Sequence, residues 1–222
     1  MTLVSKELRD EMLSYDSCLV SDALEKLGLP LGIAGLKRLA TSERIFGQAV
    51  TVRLVLFDGN VAKKHLGTAA IEVGAPGDVI VVEHQSRPDC AGWGGLLSTA
   101  AAAKGISGVV VDGMARDIDE SEQLGFPVFA RGGTPVTARG KVAELATNIP
   151  VDLAGVTVNP GDYVIADGSG VAVIPHDRLD EVLVEARAMI AFEDGIRAQL
   201  LEGVSIGSAM NASYETLLNT KK

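Results

Sequence analysis

Apolar residues follow two periods along this chain, one suited to strands and one to helices. Residues 47–56 alternate, with Val50, Val52 and Leu54 opposed to Ala49, Thr51, Arg53 and Val55, which predicts a strand. Residues 79–83 and 108–112 are short apolar runs bounded by turn residues and predict buried strands. Ser5 caps a predicted helix to about residue 14, and a second spans about 20–27 with Gly28 as its stop. A third helix is predicted over about 61–73, followed by the turn Ala75-Pro76-Gly77-Asp78. Gly92-Trp93-Gly94-Gly95 then opens an Ala-rich, close-packed helix over 96–104. After the strand at 108–112, a Gly113-Met114-Ala115 turn leads to Arg116-Asp117, with Asp117 placed to cap a helix over 118–124.

Beyond a short strand at 128–130, residues 156–159, 163–166 and 171–174 read as an antiparallel meander. Its turns are Pro160-Gly161-Asp162 and Asp167-Gly168-Ser169-Gly170. A long helix over about 177–201 and a tail to Lys222 follow. Early βα alternation with a late all-β section predicts an α/β fold of mixed sheets covered by helices. The length suits one domain over 1–222, including a C-terminal helical arm at 177–222. The Pro-Gly-Asp turn recurs at 76–78 and 160–162, as reuse of good turn chemistry rather than an internal repeat.

Charge and composition remove several functions. The net charge is −9, and no basic run exists beyond Lys63-Lys64 and Lys221-Lys222, so a phosphate backbone has little to hold it. Aromatic content of 4% provides no base-stacking platform, and no nucleic-acid partner is expected. Charges at Lys6, Glu7, Arg9, Asp10 and Glu11 do not fit a signal peptide, and no apolar run approaches a membrane span. Cys18 and Cys90 form no disulfide framework. The expectation is a soluble, cytoplasmic protein.

The residues that carry chemistry cluster at 92–131. A glycine-rich helix start exposes unpaired amides to an anion, and Arg116-Asp117 lies one strand away. An arginine and a carboxylate beside such a start suit metal-assisted chemistry on a carboxylate substrate. A dinucleotide reading of Gly92-x-Gly94 fails twice. Its third glycine position is Leu97, and about nine residues separate the preceding strand from Gly92. His65, His84 and His176 lack the spacing of a helical zinc pair, and Cys90 reads as a packing residue. Glu193 shares a helix face with Val182, Ala186, Met189 and Ile190 and so needs a partner: Arg197 one turn on, or a metal and its waters in a neighbouring subunit.

At these residues the chain resembles the class II aldolases that split 4-hydroxy-4-methyl-2-oxoglutarate or 4-carboxy-4-hydroxy-2-oxoadipate, a family that includes the regulator of ribonuclease activity A. The resemblance runs from Val20-Ser21-Asp22-Ala23-Leu24 through Ala75-Pro76-Gly77-Asp78-Val79 and the GGLL, DGMARD and FPVFARG stretches to Asp167-Gly168-Ser169-Gly170-Val171. It implies a β/β/α sandwich of the swivelling-domain type, with mixed sheets and a long C-terminal helix. It also implies a homotrimer or homohexamer with its site between subunits. By the same resemblance, Gly94, Gly95, Leu96 and Leu97 bind the pyruvoyl carboxylate, Arg116 is the substrate arginine, Asp117 the ligand of a divalent cation (Mg2+ or Mn2+), and Glu193 the neighbouring subunit's acid. One departure stands out: the aldolases carry an acid where this chain has Gly95, with Asp89, Asp112 and His84 as candidate replacements.

The resulting expectation is a metal-dependent lyase that cleaves or decarboxylates a small-molecule 2-oxo acid, a 4-hydroxy-2-oxo diacid or oxaloacetate, through a pyruvate enolate. The alternative is a non-catalytic regulatory protein that binds a partner such as a ribonuclease.

Overall fold

The computed structural model describes residues 4–59 and 65–210. Two helices come first, α1 (Lys6–Ser14) and α2 (Ser17–Lys26), capped by Ser5 and Asp16. The Asp16 carboxylate accepts from the Leu19 amide at 2.8 Å, which starts α2 three residues before the apolar pattern does. Strands β1 (Lys37–Ala40) and β2 (Ile45–Leu56) follow, then α3 (Thr68–Val73). The helix predicted over 61–73 is thus confined to its second half among the described residues, because Gly67 takes a left-handed turn at φ 78° just before α3; residues 61–64 lie outside the description.

The centre consists of β3 (Val79–Trp93), α4 (Gly95–Lys104), β4 (Gly108–Ala115), α5 (Ile118–Gln123) and β5 (Val128–Gly133). Two expectations change here. β3 continues through the supposed nine-residue gap to Trp93, with left-handed Gln85 and Ser86 bending it. β4 absorbs the supposed turn at 113–115, because Ala115 pairs with both Trp93 and Gly133. Beyond lie β6 (Val142–Thr147), β7 (Val151–Leu153), β8 (Val156–Val158), β9 (Tyr163–Ala166) and β10 (Val171–Ile174). A 3-10 turn then leads into α6 (Leu179–Leu201) and α7 (Ile206–Ala209). The expected meander survives only as the β9–β10 hairpin, since β8 pairs with β7 in a separate two-stranded sheet.

The main sheet runs β1-β5-β4-β3-β2-β9-β10, with β6 also on β2. β2, β3, β4 and β5 are parallel neighbours and the remaining pairs are antiparallel, so the expected mixed sheet is present. β2 is long enough to serve β9 with Ile45–Gln48 and β3 with Ala49–Arg53, which curls the sheet. Alternation along the strands divides the core. Val50, Val52, Ile80 and Val82 face α3 and α4 with Leu97 and Ala101. Ala49, Val79, Val81 and Val110 face inward to β7, β8 and β9. The long helix α6 buries Val182, Ala186 and Met189 against α2, Phe46 and Ile174. Arg9 ties α1 to the sheet by donating to the carbonyls of Phe46 and Gly77 at 2.8 and 2.9 Å. Among the described residues no helix is long and apolar enough to cross a membrane.

Candidate active site

Parallel pairing of β3 with β4 sets Trp93 opposite Ala115, so the residues that follow each strand emerge side by side. This is the carboxyl edge of a parallel sheet, the position where α/β folds open a crevice. Gly94 forms the N-cap of α4 in an extended conformation, and the Arg116 amide donates to the Trp93 carbonyl at 3.0 Å. Asp117 then adopts φ 59°, ψ 43°, a left-handed conformation that aspartate tolerates better than most residues.

That turn redirects the carboxylate. It does not cap α5, as the sequence suggested; it accepts from the Gly95 amide of α4 at 2.9 Å and from Arg116 Nε at 3.1 Å. The Gly95 amide and the Arg116 guanidinium hold the Asp117 carboxyl below the usual carboxylate range. α5 meets its own N-terminal dipole with Asp119 and Glu120 instead.

A buried hydroxyl chain supports this corner. Trp93 Nε1 donates to Ser98 Oγ at 3.0 Å, Ser98 Oγ bonds Ser121 Oγ at 2.9 Å, and Ser121 Oγ donates to the Asp117 carbonyl at 3.2 Å. Ser98 and Ser121 are fully buried, so each bond in the chain satisfies a group that would be costly to leave unpaired. The chain locks α4, α5 and the Asp117 backbone together.

Gly94 to Leu97, Arg116 and Asp117 line a cleft of about 640 Å³ together with Ala91, Trp93 and residues 137–140. Only Nε of Arg116 is engaged; its two Nη groups have no partner among the described residues, which leaves a fork for a planar anion. The Leu97 amide donates to the Gly94 carbonyl at 3.0 Å, whereas no described residue engages the Leu96 amide. Leu96 is 80% exposed at the mouth. Arg139 and His65 also line the cleft. Sequence reasoning missed Arg139; its only signal was a cation within a Gly- and Pro-containing loop.

Other candidates lie elsewhere. His84 is buried with Nε2 on the Cys90 carbonyl at 2.9 Å, and burial pushes its imidazole below its ordinary range. Asp112 is buried and ion-paired to Arg131 at 2.6 Å, and Asp89 pairs with Arg87 at 2.5 Å. All three are committed away from Gly95. The paired Asp112 also removes the acid a dinucleotide ribose would need, although β3 does run directly into the glycine turn. Asp167 opens the β9–β10 hairpin turn, as its position suggested, and its carboxylate also accepts from the Ser17 amide of α2 at 2.7 Å. Glu193 sits half-buried on α6, 3.9 Å from Arg197, and does not line the Arg116–Asp117 cleft of its own chain. Burial, reinforced by Asp16 and Asp22, raises its carboxyl above the usual value.

The chain and its fold have relatives among known proteins. Residues 17–173 match the family described as RraA-like, Aldolase/RraA. The chain belongs to the RraA-like family. It is 34% identical over 202 residues to a Halalkalibacterium halodurans protein named "Putative 4-hydroxy-4-methyl-2-oxoglutarate aldolase", covering 90% of each chain. It is 31% identical to protein DlpA of Legionella pneumophila over 91% of this chain, which spans only 33% of that protein. Among solved structures, an uncharacterised Pseudomonas syringae protein superposes with a TM-score of 0.84 at 31% identity, over 95% of this chain and 100% of that one. Streptomyces coelicolor RraAS2, described as an unusual member of the RNase ES inhibitor RraA family, gives 0.81 at 28% identity over 88% of this chain and 98% of that one. The RraA fold, a curled mixed sheet with a long C-terminal helix, is therefore the fold of this chain.

Proposed function

We propose that this RraA-like protein is a divalent-metal-dependent lyase acting on a 2-oxo acid by retro-aldol cleavage or β-decarboxylation. The observation that carries the reading is the Arg116–Asp117–Gly95 corner: an ionised carboxylate in a left-handed turn, and an arginine fork, at an open helix start lining a cleft. The names of the aldolase relatives agree with it.

Among the described residues no group of three or more His, Cys, Asp or Glu side chains forms a metal cage. Mg2+ does not require one, since it is commonly held by one or two carboxylates with waters and substrate oxygens. Asp117, kept ionised and facing the cleft, fits that role. A bound Mg2+ or Mn2+ would polarise the substrate's 2-oxo group. The chain's own residues do the rest. The free Leu96 amide and the start of α4 hold the substrate carboxylate, and the Arg116 fork balances charge as the C3–C4 bond breaks and its electron pair enters the enolate. C4 leaves as CO2 in the decarboxylation, or as a carbonyl once its hydroxyl has given up its proton in the retro-aldol reaction, and protonation at C3 then yields pyruvate.

Purified protein is expected to release pyruvate from oxaloacetate or 4-hydroxy-4-methyl-2-oxoglutarate with Mg2+ present and to stop after chelation. Absence of pyruvate from both substrates, across Mg2+ and Mn2+, would defeat this reading. It would favour instead a surface-binding regulator, the role suggested by the likeness to an RNase ES inhibitor family.

Glu193 enters through oligomerisation. Its absence from the cleft lining of its own chain and its raised carboxyl fit an acid delivered to a neighbouring copy's site, in a homotrimer or homohexamer. Mixing inactive Asp117→Asn with inactive Glu193→Gln protomers is expected to restore activity, since some interfaces then carry both native residues. No recovery after verified subunit exchange would confine Glu193 to its ion pair with Arg197.

A further inference from the structure

The loop after β5 brings a second arginine into the cleft, and backbone bonds fix its course. The Thr134 amide donates to the Ala115 carbonyl at 2.9 Å, next to Arg116. The Ala91 amide donates to the Val136 carbonyl at 3.0 Å, and the Phe57 amide to the Lys141 carbonyl at 2.9 Å. Between these ties the Lys141 amide closes a turn on the Ala138 carbonyl at 2.9 Å. Arg139 is the second residue of that turn and Gly140 the third, at a φ of 72° that favours glycine. Arg139 thereby lines the same cleft as Arg116 and Asp117.

Charge in the cleft is unbalanced. Asp117 is the one carboxylate among the described residues that line it, and Arg116 Nε already engages that group. Arg139 is exposed, and among the described residues its side chain has no hydrogen bond or ion pair; only its amide is engaged, on Thr137 Oγ1 at 3.2 Å. Phe57, Leu66, Val142 and Ala143, which also line the cleft, offer it no counter-charge. In a chain of net charge −9, two arginines against one acid mark this cleft for anions. The start of α4 and Arg116 serve the carboxylate beside the 2-oxo group. A monoacid would leave Arg139 unmatched, whereas a diacid brings a second carboxylate for its guanidinium.

We propose that Arg139 binds the far carboxylate of a 4-hydroxy-2-oxo diacid and so selects diacids over 2-oxo monoacids. The proposal rests on the lyase reading above and deepens it. The contact suits retro-aldol cleavage, in which the far carboxylate departs on the carbonyl product. In decarboxylation, a cation bound to the departing carboxylate would instead stabilise the ground state.

The test compares kcat/KM on 4-hydroxy-4-methyl-2-oxoglutarate and on 4-hydroxy-4-methyl-2-oxopentanoate, which carries a methyl group in place of the far carboxylate. Breaking the C3–C4 bond gives two pyruvates from the diacid, and pyruvate with acetone from the monoacid. Wild type with Mg2+ is expected to prefer the diacid. Arg139→Gln should reduce that preference about 10-fold, the low end for a charge-assisted contact because Arg139 is exposed. Arg139→Lys should retain part of the preference, and Tm should stay unchanged in both variants. Equal cleavage of the two compounds by wild type overturns the assignment and leaves the lyase reading standing. So does an Arg139→Gln variant that keeps the wild-type preference, or one that loses equally on both compounds. Pyruvate from oxaloacetate alone has the same consequence. Pyruvate from none of the three, with Mg2+ or Mn2+, removes the lyase reading and this inference together.

Discussion

Replacing Asp117 with asparagine is expected to lower kcat/KM on the 2-oxo acid by roughly 10³-fold or more while the protein stays folded, because a metal's charge stabilisation is worth several kcal/mol. Asparagine tolerates the left-handed φ of 59° as well as aspartate does, and its carbonyl can still accept from the Gly95 amide. What it loses is the negative charge facing the cleft. The pH dependence of stability should change in step. A carboxyl whose folded pKa lies below its unfolded value of 3.8 contributes stability above that value, and loses it as pH falls through the folded pKa. Wild type should therefore lose more Tm than Asp117→Asn between about pH 5 and about pH 3. Steady-state assays with matched thermal melts check both statements. Near-wild-type turnover in Asp117→Asn would remove this carboxylate from the reaction.

Arg116→Lys is the second large effect, expected on the order of 10²-fold in kcat/KM, or about 2.7 kcal/mol of transition-state stabilisation. Lysine keeps one positive charge but gives up the arrangement seen here, in which Nε holds Asp117 and both Nη groups stay free for substrate. A single ammonium cannot do both at once. The loss should fall on kcat more than on KM if the fork acts on charge that develops during bond cleavage. A lysine variant within about twofold of wild type would show that Arg116 only buttresses the Asp117 turn.

Local physics made much of this protein legible in advance. Turn residues at Pro76-Gly77 and Pro160-Gly161, the Ser5 cap and the period-2 alternation at 47–56 each act within a few residues, so their elements appear where the pattern puts them. The Gly94–Leu97 helix start and Arg116–Asp117 could be placed together because a single buried strand, 108–112, separates them in the sequence. Other features depended on non-local contacts. β3 extends through residues 84–93 on the strength of its ladder to β4, while left-handed Gln85 and Ser86 and three register shifts erase the alternation a strand would show. β7 is three residues long and exists because β8 pairs with it. Glu193 was legible as an acid needing a partner, but its separation from the cleft follows from α6 packing on α2.

The same division runs through the site. Sequence by itself determined which groups are present: an arginine, a carboxylate and open amides near one helix start, because composition and short-range spacing suffice for that. Tertiary structure alone decided their arrangement. Asp117 turns toward α4 rather than its own helix because the left-handed backbone redirects its side chain. Glu120, unremarkable on a short exposed helix, comes to lie over Gly95 because α4 and α5 pack against each other through Ser98 and Ser121. Side-chain convergence depends on distances between elements, and no spacing along a single chain encodes those distances.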